Sequence, residues 1–350
     1  MDSAELTRIL CSVNMWLVIM NATLRTSDSE MLEECERSGQ PCMLLLLVRS
    51  DNKHKMNVDL RIAQSLPVAS RIHIVPVFEQ DRLDKSAIAG LVGKSVQRVL
   101  CQNIIEVAGI GKQLALLTKC ELTLFEDCVC VPESLYSPVY SVFRDRVMNK
   151  VRNPRGAVRL DKINTVVCKD IVRVSQVEPP GQDIPSTNVI VQRGLELIDK
   201  GYSDTRNLFG DLFSYDPPTT TFWSLYISAG AVTVAQLFKL VHNKELKSEL
   251  LWNQFCIGFV KHYGEGAIAE YGAYSRKQKW LTPEQSNALV QKIVNMETDE
   301  PLINAIYNQL VQTGFVSNRL RMVFANYLSQ KRLPWLVAKQ AFDHHLIDLF

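Results

Sequence analysis

Apolar residues fall along this chain in runs whose spacing changes part-way. Cys42 to Val48 (CMLLLLV) is continuously apolar, between Gln40-Pro41 and Ser50-Asp51-Asn52. Such a run predicts a strand buried on both faces, as in a parallel sheet. Val58 to Leu66 has helical spacing, Arg71 to Phe78 (RIHIVPVF) is a second strand-like run, and Ser86 to Leu117 reads as one or two helices weakened by Gly90, Gly93 and Gly109. Glu121 to Val131 (ELTLFEDCVCV) is a third strand-like region. Strand and helix alternating over so short a span predict an α/β layer with right-handed crossovers.

The pattern breaks between Met148 and Pro185. Asn153-Pro154-Arg155-Gly156, Pro179-Pro180-Gly181 and Pro185 punctuate a stretch whose one strand-like piece is Thr165 to Val174. This reads as an inter-domain connection. From Asn188 onward, apolar residues recur at helix spacing in seven segments: Val189 to Lys200, Val232 to His242, Lys247 to Tyr263, Pro283 to Val294, Leu302 to Thr313, Asn318 to Ser329 and Leu336 to Ile347. The expected organisation is an N-terminal extension (1–40), an α/β domain (41–147), a connection (148–188) and a helical domain (189–350).

The N-terminus has several readings. Leu6 to Arg25 carries only two charges, Arg8 and Arg25, and acidic residues follow it. Ile9 to Met20 is too short, and too interrupted by Ser12 and Asn14, for a stable membrane span. A helix packed on the body of the protein is the leading expectation. A presequence for the mitochondrion or another organelle comes next, although Asp2 and Glu5 oppose it, and a secretory apolar region is the third.

Composition narrows the picture. Apolar residues make up 47% of the 350, and 39 Lys and Arg against 37 Asp and Glu leave no global basic field for phosphates. A local cluster remains: Arg144, Arg146, Lys150, Arg152, Arg155, Arg159 and Lys162. Arg152 and Arg155 are its candidate DNA or RNA contacts, and a solvated face is the alternative. None of the nine cysteines forms a Cys-x-x-Cys pair, and Cys128 and Cys130 are too close for a zinc knuckle. Buried, reduced thiols in an intracellular protein are expected, with no metal.

Four motifs in the helical half carry a resemblance. They are Tyr202-Ser203-Asp204-Thr205-Arg206-Asn207 with Gly210; Thr220-Thr221-Phe222-Trp223-Ser224 leading to Gly230; Glu249-Leu250-Leu251-Trp252-Asn253-Gln254-Phe255; and Thr313-Gly314-Phe315-Val316-Ser317-Asn318-Arg319-Leu320-Arg321-Met322, with Asp348 beyond it. In this order the segments resemble the flavin-binding helical domain of the photolyase/cryptochrome family, closest to DASH-type cryptochromes. The implied fold is a reduced Rossmann-like α/β domain followed by an all-α FAD-binding domain. The resemblance implies FAD contacts at Tyr202, Thr220, Thr221, Ser224, Trp252, Asn318, Arg321 and Asp348. Hydroxyls at a helix start can receive phosphate oxygens, or Thr220 or Thr221 can simply cap the helix. Arg321 and Asp348 match an ion pair beside the flavin ring, and a structural Arg–Asp tie is the equal alternative. Trp252 taken alone reads as core.

Departures from the family shape the functional expectation. Asn253 and Gln254 stand where the family has an arginine and an acidic residue, Ala235 stands for an arginine, and Asn304 and Asn308 stand for Asp and Arg. Of the tryptophan relay only Trp335 is matched; Ile293 replaces another member, and the third falls beyond Phe350. Two βα units of the family's first domain have no room here, so no antenna pigment is expected. The expected function is that of a degenerate, light-independent binding or scaffold module with a protein partner or larger assembly. The alternatives are a FAD-dependent photolyase or DASH-like blue-light receptor, and nucleic-acid binding without chemistry.

Overall fold

The computed structural model describes residues 14–78, 82–83, 96–168, 171–199, 220–269, 272 and 279–348. The first half is an α/β layer: β1 (Met15–Ile19), α1 (Glu30–Ser38), β2 (Cys42–Arg49), α2 (Lys53–Gln64), β3 (Ile72–Phe78), β4 (Arg82–Leu83), β5 (Val96–Gln102), α3 (Ile105–Thr118) and β6 (Glu121–Phe125). The sheet order is β4-β3-β2-β1-β5-β6. All neighbours are parallel except the short β4, which lies antiparallel to β3.

Three expectations are corrected. Met15–Ile19 is not a packed helix but a central strand, paired through Trp16 with Cys42 on one side and Arg98 on the other. All five of its residues are buried. A strand covered on both faces is apolar at every position, so its sequence carries no period that separates it from a buried helix. Likewise Val96–Gln102, read as part of a helix, is β5. Val96, Val99 and Leu100 mimic helical spacing, yet each is buried within the sheet. The described residues of Thr165 to Val174 form no strand; they contribute isolated bridges, Thr165 to Cys42 and Arg173 to His73.

Alternation along the strands divides the core. Met15, Leu17, Ile19, Met43, Leu45 and Leu47 pack under Ile110 and Leu114 of α3. Trp16, Val18, Leu44 and Leu46 face the other way, into a cluster that also holds Trp223, Tyr226, Leu237 and Leu251 from the second half of the chain.

That second half is helical. Its elements are α4 (Tyr140–Val147), α5 (Thr187–Asp199), α6 (Trp223–Ala229), α7 (Val234–Leu240), α8 (Lys244–Tyr263), α9 (Pro283–Val294), α10 (Pro301–Thr313), α11 (Asn318–Gln330) and α12 (Trp335–Asp343). Thr233, Asn243, Thr282 and Ser317 each accept a backbone N–H as N-caps, and Gly314 ends α10 at a φ of 70°. These caps satisfy helix-end groups that would otherwise lack partners. Helices α9 to α12 share a core of their own around Ile306, Leu310, Leu320 and Phe324.

A buried polar network ties the halves together. The Arg25 side chain, 3% exposed, donates to the carbonyls of Ala22, Ser27, Asp28 and Gly230. Asp28 accepts from Thr233 at 2.6 Å and Arg152 at 2.5 Å. Asp127 accepts from Ser29 at 2.7 Å and Gln102 at 2.8 Å. Gly230 is required where the chains cross, since a Cβ there would lie 1.9 Å from the Ala22 carbonyl carbon.

Candidate functional site

The chain enters α6 through Thr220 and Thr221, both half-buried, and Phe222, whose φ of 54° is left-handed. Thr221 Oγ1 accepts from the Trp223 amide at 3.4 Å, a weak version of the capping role. Ser224 is exposed. Trp223 turns inward, donating from Nε1 to the Ile190 carbonyl at 3.2 Å. Helix α6 has only seven residues, so its end field is weaker than that of a long helix.

The Phe222 ring lies 4.8 Å from that of Phe315, and the Arg321 guanidinium sits 5.4 Å over the Phe315 ring. Arg321 Nη2 donates to Asp348 Oδ2 at 2.9 Å, and its Nε to the Val316 carbonyl at 2.8 Å. Asn318, exposed, opens α11 one residue after the Ser317 cap. The Thr220–Ser224 run, Asn318, Arg321 and Asp348 therefore share one neighbourhood, joined through two phenylalanines. The Asp348 side chain is 2% exposed, and its Oδ1 is buried with no hydrogen-bond partner among the described residues. A lone buried carboxylate oxygen is costly, and it suits a ligand that brings an N–H or O–H donor.

Other candidate residues lie elsewhere. Trp252 stacks on Tyr140 at 3.5 Å with its edge to Phe255, on the face where α8 meets α4. The adjacent Gln254 is buried; it donates to the Cys128 carbonyl at 2.9 Å and accepts from the Cys130 amide at 2.8 Å. Tyr202 lies outside the described residues. Ile293 sits in the core of the last four helices, and Trp335 donates from Nε1 to the Ala269 carbonyl at 2.9 Å.

Four of the seven cations in the basic cluster are paired with carboxylates. Arg152 pairs with buried Asp28, Arg155 with Glu30 and Asp127, Arg159 with Glu36, and Arg144 with Asp145. Cations so matched to carboxylates leave little local field to attract a phosphate chain. The described cysteines are free, and burial pushes Cys128 up to about 11 and Cys130 up to about 12, so neither is a ready nucleophile. Among the described residues no cluster of His, Cys, Asp or Glu could hold a metal, and no helix is long and apolar enough to cross a membrane.

Sequence reasoning also missed a cleft at the carboxyl ends of the strands. Asn21, Leu47, Arg49, Val77 and Ser228 line it with Lys55 and Asp59, which are paired at 2.5 Å. It lies beside β1 and β5, where the strand order reverses, the place at which open α/β sheets bind ligands. The sheet topology would have located it, had β1 been recognised.

Comparisons agree with this geometry. Residues 246–349 match the family described as the FAD binding domain of DNA photolyase. A Cryptochrome DASH of Idiomarina loihiensis is 27% identical over 159 residues, which are 42% of this chain and 34% of that one. A chloroplastic/mitochondrial Cryptochrome DASH of Ostreococcus tauri is 31% identical over 101 residues, 29% of this chain and 18% of that one. The chain thus spans about a third or less of the length of these curated relatives. The solved archaeal photolyase from Sulfolobus tokodaii, described with two FAD molecules, superposes with a TM-score of 0.69 over 96% of this chain and 80% of that one, at 16% identity. The α/β sheet joined to a helical half therefore has the fold of the solved photolyase and cryptochrome structures, and residues 246–349 within it are similar to the FAD binding domain of DNA photolyase.

Proposed function

We propose that this chain is a degenerate, light-independent photolyase/cryptochrome-like protein that works as a binding or scaffold module within a larger assembly. The observation that carries this reading is the use made of Gln254. At a position where the resemblance implies a charge facing flavin or substrate, this chain has an amide clamped between the backbones of residues 128 and 130. Ile293 in the core points the same way, since a relay cannot pass electrons through an aliphatic side chain. Shape is retained while chemistry is reduced, the pattern of a fold kept for binding.

FAD remains compatible with the residues present. Arg321 and Asp348 would hold the ring end, with the open Asp348 oxygen accepting from it, and Thr220, Thr221 and Ser224 would lie toward the diphosphate. A bound flavin would supply redox chemistry that the side chains lack. That same oxygen favours the second reading, a FAD-dependent photolyase or blue-light receptor. Intracellular placement agrees with the buried free thiols, and residence in an organelle is suggested by the similarity to the Ostreococcus protein.

Purification under dim light, addition of FAD and blue illumination with an external electron donor separate the readings. The light-independent reading expects any bound flavin to stay oxidised and pyrimidine dimers to persist. Rapid flavin reduction with dimer repair would replace it with the second reading.

A further inference from the structure

The first turn of α2 belongs to the α/β layer, yet its cap reaches into the helical half. Asn52 is 0% exposed. Its Oδ1 accepts from the Lys55 amide at 2.9 Å, the N-cap of α2. Its Nδ2 donates to the Asp343 carbonyl at 2.8 Å and the Leu346 carbonyl at 2.9 Å. An amide nitrogen has two hydrogens, and both are used.

Those carbonyls flank the turn that leaves α12 and leads to Asp348. The opposite side of the turn is held by the Ile347 amide, which donates to the Gly314 carbonyl at 2.9 Å. His54 closes the arrangement, with Nε2 at 2.9 Å from the Val311 carbonyl. A Cβ on Gly314 would come within 2.6 Å of the His54 Cβ. Two residues after Leu346, the Asp348 carboxylate emerges with one oxygen on Arg321 and the other open.

We propose that Asn52 is a positioning residue for the ligand site. By fixing the carbonyls of Asp343 and Leu346 it aims the open oxygen of Asp348, so the α/β layer sets how tightly the helical half holds a flavin. This rests on the reading that Asp348 faces FAD. The donated bonds, not the cap, carry the role, because a cap alone would end its influence inside α2.

Asn52→Ser separates the two, since serine keeps a capping oxygen and loses the amide donor. Asn243→Ser makes the same exchange at the cap of α8 and serves as control. In the full-length chain, Asn52→Ser should raise hydrogen exchange over residues 343–348 about tenfold and weaken binding of added FAD about tenfold. It should also blur the vibronic shoulders of the bound flavin, which a loss of fold stability alone would not do. The control should do none of these. Unchanged exchange and affinity, or equal effects from the control, would overturn the proposal. Should the unmodified chain take up no FAD, the flavin reading fails separately; raised exchange still supports the grip on the turn, and unchanged exchange still defeats it. If Asn52→Ser does not fold, Asn52→Asp repeats the test with the same side-chain shape and no donor.

Discussion

Arg321 and Asp348 form an ion pair whose carboxylate is buried in the helical half. Removing the cation strands a carboxylate that is 2% exposed. Arg321→Ala should therefore cost about 2–3 kcal/mol in urea unfolding, below the largest values for buried pairs because Arg321 keeps some access to water. Asp348→Asn added to it should recover part of that loss; strict additivity would show that the two side chains are not coupled. Gly314 is the other sensitive residue. Alanine there meets both a φ of 70° and the His54 side chain, so Gly314→Ala should lower the urea midpoint by the equivalent of about 2 kcal/mol or more, with an unchanged slope. At this scale the motif residues Thr220, Thr221, Arg321 and Asp348 could be read from sequence. The packing of Phe222 on Phe315, which joins them, could not, because ring contacts between distant segments leave no local pattern. Trp252 shows the converse: its motif is legible, but its surroundings are decided by Tyr140, far away in the chain.

Among the elements, β1 and the turn before Asp348 are the most informative. A central strand cannot be dispensed with, so Leu17→Ala should destabilise the whole protein by about 3 kcal/mol, as a cavity in a packed core does. Were this segment a leader, the substitution would leave the stability of the folded body untouched. The turn makes a prediction about pH. Burial, with His344 and His54 nearby, lowers the pKa of His345 from its ordinary 6.5. The unfolded chain then takes up a proton at this site before the folded one does. Stability should fall as pH drops through about 6.5 and level off below the folded pKa. Melting temperatures measured on both sides of that window should show a smaller drop in His345→Gln than in the unmodified chain. Helices α9 to α12 were legible because one apolar face recurs at helical spacing and Thr282, Pro283, Pro301 and Gly314 mark their ends. Strands β1 and β5 were not, since burial on both faces erases the alternation that identifies a strand.

For the molecule as a whole, the network of Arg25, Asp28, Asp127 and Arg152 matters more than net charge. It turns residues read as a nucleic-acid patch into ties between the two halves. Arg152→Ala should lower thermal stability by about 2 kcal/mol, because Asp28 is fully buried. Loss of nucleic-acid affinity with stability intact would restore the surface-patch reading. Such a network stays hidden in a sequence, since the bonds from Asp28 to Arg152 and Thr233 and from Asp127 to Ser29 span about a hundred or more residues and the charges cancel in composition.

The two-part fold and the match of residues 246–349 to the FAD binding domain of DNA photolyase leave one question to decide, which is whether light does anything here. The most direct measurement is the absorption spectrum of the FAD-supplemented, full-length protein before and during blue illumination with an electron donor present. A light-independent protein leaves any flavin band unchanged under illumination. Bleaching of that band to reduced flavin, with repair of added pyrimidine dimers, would contradict it.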